Sequence, residues 1–137
     1  MIVADTGAVY ALVDSRDRHH RVLRKLFESD PDAWVLPWAI LPEVDYLLGK
    51  RLGQRVEEDF LEDLAEGRFA VAWGDEHDLQ EARRICRRHQ ALRFGLVDAV
   101  VMAVAERLKA DAIATLDVRD FGTVLLKGGP KLYPRDL

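Results

Sequence analysis

Cysteine is nearly missing from this chain. Cys86 stands alone among 137 residues, so neither an intrachain disulfide nor a cysteine pair for a zinc knuckle is available. A disulfide-stapled secreted scaffold is excluded on that ground, and a reducing cytoplasm is the expected setting. Long hydrophobic runs are missing too: the longest, Ala99 to Ala105, falls far short of the ~18 residues that span a bilayer. Asp5, with no basic residue before it, interrupts the N-terminal apolar stretch in a way that does not suit a secretory signal. No membrane contact is expected. An excess of positive charge is also absent, since 24 acids face 20 bases for a net charge of -4, and net charge therefore supplies no general attraction to nucleic acid. Compositional bias is lacking as well. Hydrophobic residues make up 49% and charged residues 32%, which is ordinary globular usage and excludes disordered and collagen-like classes. The length suits one domain, expected to run over 1–137.

Charge is present in blocks. Five bases fall between Arg16 and Lys25, five more between Arg83 and Arg93, and Glu57 to Glu66 is uniformly acidic. Apolar patterning alternates between short runs and helical stripes. Ile2-Val3-Ala4 reads as a strand ending at Asp5, followed by a helix over Thr6 to Val13. Arg18 to Ser29 carries Val22, Leu23, Leu26 and Phe27 on one helical stripe, and Asp30-Pro31-Asp32 separates it from a strand at Ala33 to Leu36. Ala39 to Lys50 reads as a helix with Pro42 in its first turn, which puts Glu43 near the helix start. Gln54 to Ala65 is an amphipathic helix, Phe69 to Trp73 a third strand, and Asp78 to Gln90 a charged helix with Leu79, Ala82, Ile85 and Cys86 turned inward. Leu96 to Leu108 is apolar nearly all round, a buried helix in which Asp98 is the sole charge before Glu106. Ala112 to Leu116 supplies a fourth strand ending at Asp117, and Val124-Leu125-Leu126 a short fifth at an edge. This alternation predicts an α/β fold, a three-layer α/β/α sandwich around a mostly parallel four- or five-stranded sheet that binds ligands at the carboxyl edge of its strands.

Four acids share that edge: Asp5 after the first strand, Glu43 at a helix start after the second, Asp98 opening the buried helix and Asp117 after the fourth strand. Singly, each has a structural explanation as a cap, a helix-dipole partner or a turn residue. Together they do not, because two carboxylates ~4 Å apart repel by roughly 4 kcal/mol at an effective dielectric near 20. A cation in their midst removes that penalty. With no His or Cys at ligand spacing beside them, oxygen donors favour Mg²⁺ or Mn²⁺ over zinc.

At these residues the chain resembles a family, the PIN-domain ribonucleases, and most closely the VapC-type toxins of toxin–antitoxin pairs. The matching pieces are Val3-Ala4-Asp5-Thr6, Glu43 within Leu41-Pro42-Glu43-Val44, Asp98-Ala99, and Thr115-Leu116-Asp117 with Asp120-Phe121 after it. The resemblance implies a PIN-like sandwich, a Mg²⁺- or Mn²⁺-dependent endoribonuclease acting on an RNA substrate, a cognate VapB-like antitoxin that blocks the site, and a homodimer. It makes Asp5 and Asp98 the principal metal ligands, with Glu43 and Asp117 completing the acidic pocket directly or through water. Thr6 and Thr115 are implied as supports. The Ser or Thr often found before the family's glutamate is missing from Pro37-Trp38-Ala39-Ile40.

Competing readings are weaker. Asp5-Thr6-Gly7 matches the aspartic protease loop, but those enzymes are built of strands, and a phosphatase using Asp5 as nucleophile lacks its second aspartate because Gly7 stands there. The rival from another class is a PIN-like binding module that cleaves poorly and acts through RNA or antitoxin binding. The histidines (His19, His20, His77, His89) and the basic blocks read first as solvated surface, with the Arg83–Arg93 block able to guide RNA phosphates as the alternative. Trp34, Trp38 and Trp73 read as core or interface, and an exposed one as a base-stacking platform.

Overall fold

A computed structural model describes all 137 residues. Five short strands, β1 (Ile2–Ala4), β2 (Trp34–Pro37), β3 (Ala70–Ala72), β4 (Ala112–Ala114) and β5 (Lys131–Tyr133), form one sheet in the order β3-β2-β1-β4-β5. Every neighbouring pair is parallel. Seven helices connect them: α1 (Thr6–Val13), α2 (His20–Ser29), α3 (Leu41–Leu52), α4 (Gln54–Ala65), α5 (Glu76–Arg88), α6 (Leu96–Arg107) and α7 (Val118–Thr123).

The central strands have no polar alternation because both sheet faces are covered. All three residues of β1 and of β4 are buried. α6 fills the space beside β1 and β2, with Ala99 to Ala105 buried without interruption, which is why that stretch is apolar all round. Thirty-three buried hydrophobic residues form one contiguous cluster. Phe27 meets Trp34 edge-on with ring centroids 5.5 Å apart, and Phe69 joins Phe27 to Phe60, so aromatic packing ties α2, β2 and α4 together.

Strand order reverses between β1 and β4: the chain steps outward from β1 through β2 to β3, then returns to the other flank of β1. Such a switch point opens a crevice at the carboxyl ends of the two diverging strands. Asp5 follows β1 and Thr115 follows β4, so both line this crevice. Pro37 closes β2, a single 3-10 turn over Trp38–Ile40 redirects the chain, and Pro42 sits in the first turn of α3 where no donor is needed. That places Glu43 in the same turn.

Two expectations need correction. The fifth strand is Lys131–Tyr133, not Val124-Leu125-Leu126. After α7 the chain uses the left-handed Gly128 and Gly129 (φ 84° and 56°) to swing round before Leu132 pairs with Ile113. As an edge strand with one buried side chain, Leu132, it leaves no apolar run to read, while Leu125 is almost fully exposed. In α5, Leu79 is exposed and Asp78 occupies the inward stripe with Ala82 and Ile85. Asp75 caps the helix in a reciprocal capping box with Asp78, and Asp78 is only 1% exposed because Arg107 of α6 reaches it with two hydrogen bonds of 2.7 and 3.0 Å.

Candidate active site

Asp5 ends β1 in extended conformation and caps α1, its Oδ1 accepting the Thr6 N–H at 2.8 Å. Its Oδ2 accepts the Thr115 hydroxyl at 3.0 Å, and Thr115 Oγ1 in turn accepts the Asp117 N–H at 3.0 Å. One buried hydroxyl therefore ties the end of β1 to the turn after β4. Asp117 caps α7, accepting the Asp120 N–H at 3.1 Å. Asp98 projects from the first turn of α6, whose N-cap is Gly95 without a side-chain cap.

These elements bring one carboxylate oxygen from each of Asp98, Asp117 and Asp120 within 4.8 Å of one another. Asp5 is buried with both oxygens engaged, close enough for its charge to act on Asp98 and for that of Asp117 to act on it. Glu43 is solvent-exposed on the first turn of α3, yet its charge reaches Asp5 and Asp98. Of the four acids expected from the sequence, the structure thus packs Asp98 and Asp117 most tightly, keeps Asp5 adjacent and leaves Glu43 at the rim. Asp120 joins them as a close neighbour; the sequence places it in a motif but does not by itself mark it as a donor. A signal for it exists, since a carboxylate three residues after a helix-capping Asp faces back toward the cap.

The site's electrostatics follow from burial of like charges. Burial pushes the Asp5 carboxyl from 3.8 up to about 6 against the pull of the Thr6 N–H and the Thr115 hydroxyl, with Glu43 and Asp117 adding to the push. Asp98 is likewise raised to about 6, first by burial and then by Asp5, Asp117, Asp120 and Glu43. That outcome runs against the helix dipole, which favours an anion in the first turn by at most ~2 kcal/mol. Asp120 is raised by burial and by Asp117. Two carboxylates 4.8 Å apart repel by roughly 3–4 kcal/mol at an effective dielectric near 20.

The donor set fits a hard divalent cation. It consists of carboxylate oxygens, which suit Mg²⁺-like ions. The lone cysteine, Cys86, is held as a thiol: burial and the Asp98 charge push its pKa up, and its Sγ donates to Phe94 O at 3.7 Å. Thr6 Oγ1, next to Asp5, is buried without a hydrogen-bond partner, so the crevice also holds an unused polar group. The histidines stand apart, and His20 is tethered through Nδ1 to Ala11 O at 3.0 Å.

The chain is similar to known proteins along nearly its whole length. The sequence profile of the PIN domain matches residues 2–124. Ribonuclease VapC26 of Mycobacterium tuberculosis is 31% identical over 128 residues, which is 93% of this chain and 95% of that protein. Among solved structures, VapC20 of M. tuberculosis, a toxin that cleaves the sarcin–ricin loop, aligns with a TM-score of 0.81 at 23% identity over 93% of this chain and 98% of its own. DNA-bound VapBC of Salmonella typhimurium aligns with a TM-score of 0.73 at 16% identity over 96% and 95%. The two solved structures share the fold, and the sequence matches span nearly the whole crevice-forming chain: it belongs to the PIN-domain family.

Proposed function

We propose that this chain is an endoribonuclease that hydrolyses RNA phosphodiesters with Mg²⁺ or Mn²⁺, and that it is the toxin of a toxin–antitoxin pair. The observation that carries the reading is the convergence of Asp98, Asp117 and Asp120 at the β1/β4 switch point, with Asp5 close by and Glu43 at the rim. Asp98 and Asp117 hold the ion, flanked by Asp5 and Asp120, and Glu43 adds charge at the opening. A bound divalent cation supplies charge neutralisation at the scissile phosphate and a lowered pKa for the attacking water. Thr115 keeps Asp5 and Asp117 in register through its hydroxyl, a support of the kind that fixes ligand orientation. Asp5 and Asp98, both with pKa values of about 6 without the ion, are largely ionised and ready for it at neutral pH, and below about pH 6 protons compete with it for them. Support for an RNA substrate comes from the 31% identical ribonuclease VapC26, and support for an antitoxin from the VapBC complex that shares the fold. The antitoxin then covers the carboxyl edge of the sheet and excludes substrate.

The test is to purify the chain free of any partner and incubate it with structured RNA and Mg²⁺ or Mn²⁺, beside EDTA and an Asp98→Asn variant. Cleavage leaving a 5′ phosphate, abolished by both controls, is expected. Cleavage that survives both, or RNA binding without cleavage by the unmodified chain, overturns the proposal.

A further inference from the structure

The nuclease reading leaves one strongly charged surface unused. The second half of α5 carries Arg83, Arg84, Arg87 and Arg88, and with Gln80 they wall an open depression of ≈ 560 Å³ that has no hydrophobic and no acidic residue in its lining. Arg84 is committed to Glu81 at 2.8 Å and approaches Glu106 at 3.8 Å. Arg83, Arg87 and Arg88 are exposed and form no ion pair with any carboxylate. Like charges at i,i+4 on a helix are mutually destabilising, and here Arg83 and Arg87 stand at that spacing. The helix dipole accounts for basic residues in the last turn, where Arg87 and Arg88 sit. It does not account for Arg83 a turn earlier, nor for the missing counter-charges in a chain with more acids than bases.

Position gives the patch its meaning. α5 packs along α6, and the Asp78–Arg107 pair joins the start of α5 to the end of α6, so the two helices run antiparallel. The arginine-bearing end of α5 therefore runs beside the first turn of α6, where Asp98 sits, at an interhelical spacing of about 8–10 Å, with the arginines on the exposed face of α5 and the buried Ala82 and Ile85 on the opposite one. Cys86, on the same turn as Arg83 and Arg87, makes its contact with Phe94 just before α6 begins. The acidic centre by itself repels a polyanionic substrate. Unpaired guanidinium groups one helix away, which match phosphate oxygens two at a time, give a strand that reaches the acids a second, attractive hold outside them.

We propose that Arg83, Arg87 and Arg88 form a phosphate rail that grips the backbone of the RNA strand flanking the scissile bond and holds it against the acidic centre. The assignment rests on the ribonuclease reading and adds to it the surface that binds substrate. An acidic protein segment is the other polyanion the patch would accept, and proximity to a centre that handles a phosphodiester favours RNA.

The experiment measures binding of a short fluorescent single-stranded RNA by anisotropy in EDTA, where the strand stays intact, across salt from about 50 to about 200 mM. Each lost phosphate contact flattens the slope of log K against log salt by about 0.7 for a single strand. Arg83→Ala/Arg87→Ala is expected to flatten it by about 1.4, which corresponds to about 25-fold weaker binding near 0.1 M salt. The charge-preserving Arg83→Lys/Arg87→Lys keeps the slope, and Arg21→Ala/Lys25→Ala, in the other basic block, leaves binding as it was. Circular dichroism confirms that each variant is folded. Cleavage of the same RNA by the unmodified chain with Mn²⁺ tests the nuclease reading separately. If cleavage occurs while the alanine pair binds RNA as the unmodified chain does, the rail is refuted and the nuclease stands. If the alanine pair loses affinity for poly-glutamate but not for RNA, the rail is refuted in favour of an acidic protein partner. If the unmodified chain neither binds nor cleaves RNA, both fail.

Discussion

Replacing Asp5 by Asn should make the metal-free protein more stable at neutral pH. Asp5 is buried, and its carboxyl is raised from 3.8 to about 6. An acid whose pKa is raised by folding binds its proton more tightly in the native state, so stability falls as pH climbs from about 4 through 6 and the full penalty is present above the folded value. For Asp5 that penalty reaches about 3 kcal/mol at pH 7 and shrinks to ~0.5 kcal/mol at pH 4. Asparagine carries no charge to desolvate. Its Oδ1 can still accept the Thr6 N–H, and its amide can donate to Thr115 Oγ1, which has a second lone pair for the Asp117 N–H. Thermal or urea unfolding in EDTA should therefore show Asp5→Asn above the unmodified chain by about 3 kcal/mol at pH 7, roughly 10 °C in Tm for a chain of this length. The gap should close toward pH 4, and the variant should lose RNA cleavage. An Asn variant less stable than the unmodified chain at pH 7, or a gap that does not change with pH, refutes the reasoning.

The other predictions probe the surroundings. Thr115→Val removes the hydroxyl that serves both Asp5 Oδ2 and the Asp117 N–H; it should cost about 2–4 kcal/mol, from one buried carboxylate oxygen and one part-buried N–H left without partners, read by urea unfolding, and lower cleavage together with stability. Asp78→Ala strands Arg107 and removes the capping box, so a loss of about 3–5 kcal/mol is expected with unchanged metal binding, since Asp78 lies at the far end of the α5–α6 pair; metal titration and urea unfolding together check this. Mn²⁺ should raise the Tm of the unmodified chain at pH 7.5, by the equivalent of about 2.7 kcal/mol at a hundredfold excess over Kd. That gain should fade as pH drops below 6, where Asp5 and Asp98 take up protons, and it should be absent in Asp98→Asn.

Much of this architecture is legible in the sequence because burial on both sheet faces writes itself into composition. Ile2-Val3-Ala4 and Ala112-Ile113-Ala114 read as apolar runs since no face of either strand meets solvent. α1 and α4 run over Thr6–Val13 and Gln54–Ala65 as their patterns predict, marked by the acid before one and the glycine flanking the other. What stays hidden depends on partners distant in the chain. Asp78 looks like a surface residue until Arg107, twenty-nine positions on, makes its burial tolerable. β5 hides because an edge strand with one inward side chain has no period to detect. At the site, the sequence can place Asp5, Glu43, Asp98 and Asp117 at one edge. It cannot rank their closeness, which depends on how α7 turns back from Asp117 and carries Asp120 toward Asp98. Nor can it show that Asp5 has both oxygens occupied, because Thr115 reaches it from 110 residues away.

The most direct measurement is an anomalous difference map from crystals of the isolated chain soaked in Mn²⁺ near neutral pH. A peak bridged by the Asp98 and Asp117 carboxylates, at ligand distances near 2.0–2.3 Å, is predicted. A site between those side chains that stays empty while manganese binds elsewhere on the surface would contradict the account.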